Sequence, residues 1–212
     1  MNSIKIKIIN NVKNKVEKLL RGESTGHDWF HTQRVYKNSI KIAQGEEKEG
    51  VRIDYFILEI SALLHDIADH KFGYTDIDRE NIIIEMLENE GVELEKIKLI
   101  VNIVNNISFS KGNIPESLEG KIVQDADRID AIGAIGIART FAYGGAKGRE
   151  IYNPENPEGA HSIYHFYEKL LLLKDNLNTK TAYNMALERN KFMESFLEEF
   201  YNEWNCGEKD KI

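Results

Sequence analysis

The amino-acid sequence predicts an all-α fold, and three observations carry that prediction. Apolar residues recur at helical spacing along most of the chain, as at Ile57, Ile60, Leu63, Leu64 and Ile67. The three prolines, Pro115, Pro154 and Pro157, fall in stretches that read as loops, so long segments carry no helix breaker. No strand-like alternation of useful length occurs, and no Asn-Gly or Asp-Gly hairpin signal.

The elements follow in order. The opening MNSIKIKIINNVKNKVEKLL alternates charged and aliphatic residues without a continuous apolar core. It reads as an amphipathic helix over residues 3–20 rather than a signal peptide. A second helix is expected after GHDWFH, with Val35, Ile40 and Ala43 as its apolar positions, stopping near Gly45. The apolar run YFILEISALLHDIA gives a third over about 54–68. A fourth covers 77–90 and ends before Gly91, and a fifth covers 93–107. A sixth, long and rich in small residues, is expected over 117–141. Two more follow at 160–175 and 179–204. The clearest loop is 142–159, where Gly144, Gly145, Gly148 and the two late prolines gather. Its length, with Lys147 and Arg149, makes it a candidate binding loop.

Composition bounds the function classes. The 212 residues fit one domain, or one domain with a helical extension. A chain of this size buries roughly 70% of the surface its unfolded form exposes. With 42% hydrophobic and 30% charged residues it reads as an ordinary globular protein, not a disordered one. A net charge of −7 argues against nucleic acid as the main partner, since binding a phosphate backbone normally needs a basic surface. A small phosphorylated substrate stays compatible, because a metal ion and a few cations reverse the local potential. The single cysteine, Cys206, forms no intramolecular disulfide, which fits a reducing cytoplasm. No apolar run approaches the roughly 20 residues that span a bilayer. The amphipathic terminal helices leave two options, packing on the core or on a second subunit of a homodimer.

The chemistry concentrates in a few places. The segment SALLHDIADH ends an apolar helix in adjacent His65 and Asp66, two titratable groups that are costly to bury without partners. A His-Asp dipeptide alone is common, but the chain has six histidines and four of them, His27, His31, His65 and His70, lie in two short clusters. His27 and His31 are four apart, on one face of a helical first turn. Further on, IVQDADRIDAIGAIGIA brings Asp125, Asp127 and Asp130 into an otherwise apolar helix. Carboxylates on such a face need something positive to meet them. Imidazoles and carboxylates from separate helices make a mixed nitrogen and oxygen metal site. That mixture favours Mn²⁺, Fe²⁺, Co²⁺, Ni²⁺ or Zn²⁺ over Ca²⁺.

These residues resemble the H…HD…D signature of the HD-domain metal-dependent phosphohydrolases. GHDWFHTQRV, LLHDIADHKF, NISFSKG, QDADRIDAIGAIGIARTFAYGG and HSIYHFYEKLLLLKD are similar to blocks in a subgroup of small bacterial HD proteins, spread over about residues 20–204. The resemblance implies a single helical HD domain over 1–212, with its core at about 20–141 and the helices at 160–204 packed on it. It also selects Asp127 among the three neighbouring aspartates, so that His31, His65, Asp66 and Asp127 are the implied metal ligands. It implies one divalent ion, Mn²⁺ first, with Mg²⁺, Fe²⁺, Co²⁺, Ni²⁺ or Zn²⁺ as alternatives. The implied activity is hydrolysis of nucleoside or deoxynucleoside triphosphates to monophosphate and pyrophosphate. A nucleotide phosphomonoesterase, or a regulatory protein that binds metal and nucleotide without turnover, are the alternatives.

Asp69, three residues after Asp66 and resembling the acidic residue that follows the HD pair in related hydrolases, is expected to orient water or act as general acid or base. His27 is expected to protonate a leaving oxygen, bind phosphate or support His31 from behind, and Asp28 to cap a helix. Arg34, three residues after His31, and Lys111, in NISFSKG, are the candidate phosphate contacts. Arg128 is expected in a structural salt bridge and Asp130 beside an arginine. The aromatics Phe141, Tyr143, Tyr164, Phe166 and Tyr167 read as core before they read as a base-stacking platform.

Overall fold

A computed structural model describes residues 2–21, 28–67, 74–107 and 113–206. Among these the regular structure is helical throughout, as the sequence predicts: α1 Ser3–Leu20, α2 Trp29–Lys48, α3 Tyr55–Leu64, α4 Asp76–Glu88, α5 Leu94–Ile107, α6 Leu118–Asp130, α7 Gly133–Ala146, α8 Tyr164–Glu168, a 3₁₀ segment Leu170–Asn176, and α9 Lys180–Trp204. The chain divides into two compact units, Met1–Asp127 and Arg128–Ile212.

The first unit is organised around α3. Apart from Glu59 and Ser61 its sequence from Phe56 on is apolar, and each residue from Phe56 to Leu64 is buried. A helix apolar all round has to be surrounded, and α1, α2 and α5 all pack on α3. Their inward stripes follow the 3.6-residue period: Ile8, Ile9, Val12, Val16 and Leu20 on α1, and Ile97, Ile100, Ile103, Val104 and Ile107 on α5. Short polar side chains begin the helices. Asn2 accepts from the Ile4 N–H, and Asp54 from Phe56 and Ile57. Thr75 and Asp78 form a reciprocal capping box on α4.

The second unit is aromatic where the first is aliphatic. Phe166 is fully buried and stacks on Phe196, with Phe141 against both. Tyr152 meets His161, Phe200, Tyr201 and Trp204 edge-on, the arrangement favoured by ring quadrupoles. Helix α9 packs on α7.

Five features differ from the expectation. Gly45 lies inside α2, which continues to Lys48; one interior glycine costs only about 1 kcal/mol, less than the packing of the helix face. The third helix ends at Leu64, and His65 is its C-cap rather than an interior residue. The expected helix at 117–141 is two helices, because Gly133 takes a φ of +77° that α-helix does not use. The second of these runs on to Ala146 and shortens the expected loop. The segment 160–175 holds one short α-turn and a 3₁₀ stretch rather than a continuous helix.

Candidate metal centre

His31 sits in the first turn of α2, and the element places it firmly. The Asp28 carboxylate accepts from the His31 backbone N–H at 2.8 Å, closing the N-terminus of the helix as expected of Asp28. The His31 side chain is fully buried. His65 stands at the far end of α3, also buried. Its Nδ1 lies 2.9 Å from the Ala62 carbonyl. A carbonyl only accepts, so Nδ1 carries the hydrogen and the neutral ring presents its lone pair at Nε2.

That Nε2 faces His31 Nε2 at 3.2 Å. Asp66 Oδ2 lies 3.1 Å from His31 Nε2 and 3.4 Å from His65 Nε2. Asp127 Oδ1, on α6, is 3.4 Å from His31 Nε2. Ligand atoms of His31, His65 and Asp127 all fall within 4.8 Å of one another; Asp66 joins through both imidazole nitrogens. All four residues belong to the first unit. The Asp127 side chain is 32% exposed while the imidazoles are buried, so the cluster opens to solvent on its carboxylate side. Burial is the largest single influence on His65 and acts to lower its pKa. Asp66, through charge and hydrogen bonding, and Asp127 outweigh it, and the ring ends above the ordinary histidine value.

The donor set fits a divalent ion. Nitrogen and oxygen ligands stand about 2.1 Å from such an ion, which puts adjacent ligand atoms about 3.0 Å apart in an octahedron and about 3.4 Å in a tetrahedron. Four of the six separations between ligand atoms, His31 to the other three residues and His65 to Asp66, are 3.1 to 3.4 Å and fall within that interval. Imidazole nitrogens with carboxylate oxygens suit a first-row transition ion.

The other expected residues divide. Arg34 lies on α2 one turn beyond His31 and is half-buried. His27, Asp69 and Lys111 lie outside the described residues. Asp130 meets an arginine as expected, but it is Arg139, at 2.8 Å. Arg128 donates to the Asn176 carbonyl. Within the aromatic set Phe166 is core, whereas Tyr143 and Tyr167 are exposed. The Ala62 carbonyl is a participant that the sequence reading did not name; the only sign of it is that it precedes His65 by one helical turn.

An all-helical chain that gathers a histidine, a His-Asp pair and a later aspartate defines a class. The chain belongs to the HD-domain superfamily of metal-dependent phosphohydrolases, and it is a hydrolase of that class. The HD domain family matches residues 29–132. Among its relatives is the uncharacterized protein YpgQ of Bacillus subtilis, 41% identical over 190 residues that cover 88% of each chain. A solved HD-superfamily hydrolase from Bacillus thuringiensis is 45% identical, covers 95% of this chain and 98% of its own, and superposes with a TM-score of 0.80. The structure of YpgQ in complex with ADP is 36% identical, covers 94% and 96%, and has a TM-score of 0.77.

Proposed function

We propose that the protein hydrolyses nucleoside and deoxynucleoside triphosphates to monophosphate and pyrophosphate, with one divalent ion, Mn²⁺ by preference, held by His31, His65, Asp66 and Asp127. The convergence of these four side chains, with His31 Nε2 3.1 to 3.4 Å from ligand atoms of the other three, is the observation that carries the reading. The ADP complex of YpgQ supports a nucleotide as the substrate class.

When bound, the ion supplies Lewis acidity, making water nucleophilic near neutral pH and drawing charge from a phosphoryl oxygen. The protein does the rest. His31 and His65 supply neutral donors from rigid helix ends, and the Ala62 carbonyl keeps His65 in the useful tautomer. Asp66 and Asp127 balance the charge of the cation from the solvent side. In this reading Asp69 takes a proton from the attacking water and His27 delivers one to the leaving oxygen. Arg34 and Lys111 neutralise the remaining phosphate oxygens.

The product decides between this reading and a phosphomonoesterase. Incubation with Mn²⁺ and a panel of deoxynucleoside triphosphates, followed by separation of the phosphates, should give pyrophosphate and monophosphate in equal amounts. Orthophosphate with no pyrophosphate would refute the pyrophosphohydrolase reading.

A further inference from the structure

A buried carboxylate and a half-buried phenol outside the His/Asp cluster link the helices that carry it. Tyr36, on α2, donates its hydroxyl to Glu59 Oε2 on α3 at 2.5 Å. Glu59 is a lone charged residue among the apolar positions of α3, and it is buried. Leaving such a group without its donor costs more than the bond itself contributes. A second bond runs the other way near the connection between the two helices, with Tyr55 on α3 donating to Glu47 Oε2 on α2 at 2.7 Å.

The pairs share one antiparallel register. His31 faces His65, then Tyr36 faces Glu59, then Glu47 faces Tyr55. Five residues separate His31 from Tyr36, roughly 7.5 Å along the helix axis. The Tyr36–Glu59 bond is therefore the polar rung next to the imidazole pair. Helix α1 adds Lys13 Nζ, 5.8 Å from the centre of the Tyr36 ring. Burial first, then the bond to Glu59, raises Tyr36 above the ordinary phenol value, so it remains a donor at any working pH.

We propose that Tyr36 and Glu59 are positioning residues of the metal centre, their hydrogen bond fixing the register of α2 on α3 and with it the spacing of the His31 and His65 nitrogens. This rests on the reading of those histidines as metal ligands. It predicts that the rung next to the site controls metal affinity, whereas the Tyr55–Glu47 rung controls stability alone.

The test is a Co²⁺ titration of the metal-free protein, followed by the visible spectrum of the bound ion, with thermal unfolding of each metal-free variant alongside. Tyr36→Phe should weaken Co²⁺ binding about 10-fold, the size of effect that groups supporting metal ligands produce, and should shift the absorption bands. Glu59→Gln keeps an acceptor for the Tyr36 hydroxyl and should stay within about threefold of the wild type. Glu59→Met removes the same bond from the α3 side without leaving a buried charge, and should match Tyr36→Phe; it also reads the pair if Tyr36→Phe does not fold. Tyr55→Phe should lower the unfolding temperature and leave Co²⁺ affinity unchanged. Wild-type affinity in both Tyr36→Phe and Glu59→Met would overturn the positioning role, as would equal weakening by Tyr55→Phe. A wild-type protein that binds no Co²⁺ would overturn the ligand reading and the positioning role together.

Discussion

The two units of the chain treat buried polar groups in different ways. In Arg128–Ile212, buried donors reach acceptors, although Asn190 Oδ1 meets no donor among the described residues: Arg139 pairs with Asp130 at 2.8 Å, Arg189 donates to the Ile129 carbonyl, and Asn190 Nδ2 to the Leu171 carbonyl at 2.8 Å. His161 is satisfied on both nitrogens, Nε2 donating to the Pro157 carbonyl and Nδ1 accepting from the Tyr164 N–H. In Met1–Asp127, by contrast, two imidazole nitrogens and two carboxylates are turned toward one another. The first arrangement is met largely within the fold. The second concentrates lone pairs and negative charge at one point, which is what a cation needs and what a self-sufficient core avoids. Buried polarity that closes on itself, as also at Gln124 in the first unit, is thus a sign of structure, and the cluster at His31 that does not is a sign of chemistry.

The comparison breaks most visibly at the proposed ligands. His65→Ala or Asp66→Ala should reduce turnover by more than about 100-fold, the upper range already seen for groups one layer further out, and should lower bound metal in elemental analysis. Full activity with one ion per chain in His65→Ala would remove the case for the site. Arg139→Met should do the opposite. It takes the cation from buried Asp130 and should cost about 3 kcal/mol of stability in urea unfolding, while the folded fraction binds metal as before.

Asp28→Ala removes an N-cap, which should cost about 1 kcal/mol. Since the lost bond ends on the His31 N–H, metal affinity should fall with it. The smallest effect is expected at Glu90, whose carboxyl accepts from Asn11 and Lys15. These partners, Asn11 first, hold its pKa below the usual carboxylate value. A group with a depressed folded pKa stabilises above its unfolded pKa, and that contribution disappears as pH falls through the folded one. Lys15 is 42% exposed, so solvent screens the pair. Glu90→Gln should therefore cost only a few tenths of a kcal/mol at neutral pH and nothing at pH values below the carboxylate range. A gap that widens on acidification would contradict the sign.

Much of this was legible in the residues, for physical reasons that differ by element. The helices of the first unit follow from stripes at a 3.6-residue period, and the His65–Asp66 pair from polar groups ending an apolar run. The break at Gly133 was not legible, because a glycine in a small, apolar stretch carries no mark of the sign of its φ. Gly45 misled in the other direction, as packing overrode its weak propensity. Asp127 could not be separated from Asp125 and Asp130 by periodicity; the likeness to a family distinguished it, and the geometry brings it to His31. The Tyr36–Glu59 rung was invisible, because it depends on the register of two helices, which no local pattern states.

The burial of α3 has a kinetic consequence. Helix ends are ordinarily the first places to fray, and groups mounted there swing free on fast timescales. His65 caps a helix enclosed from Phe56 to Leu64, so its backbone shares the opening equilibrium of the whole unit. Amide protons along α3 should be among the last to exchange with deuterated solvent. An imidazole on such a mount is carried by the slowest-opening element of the first unit, so the spacing of His31 and His65 persists for as long as that core stays closed.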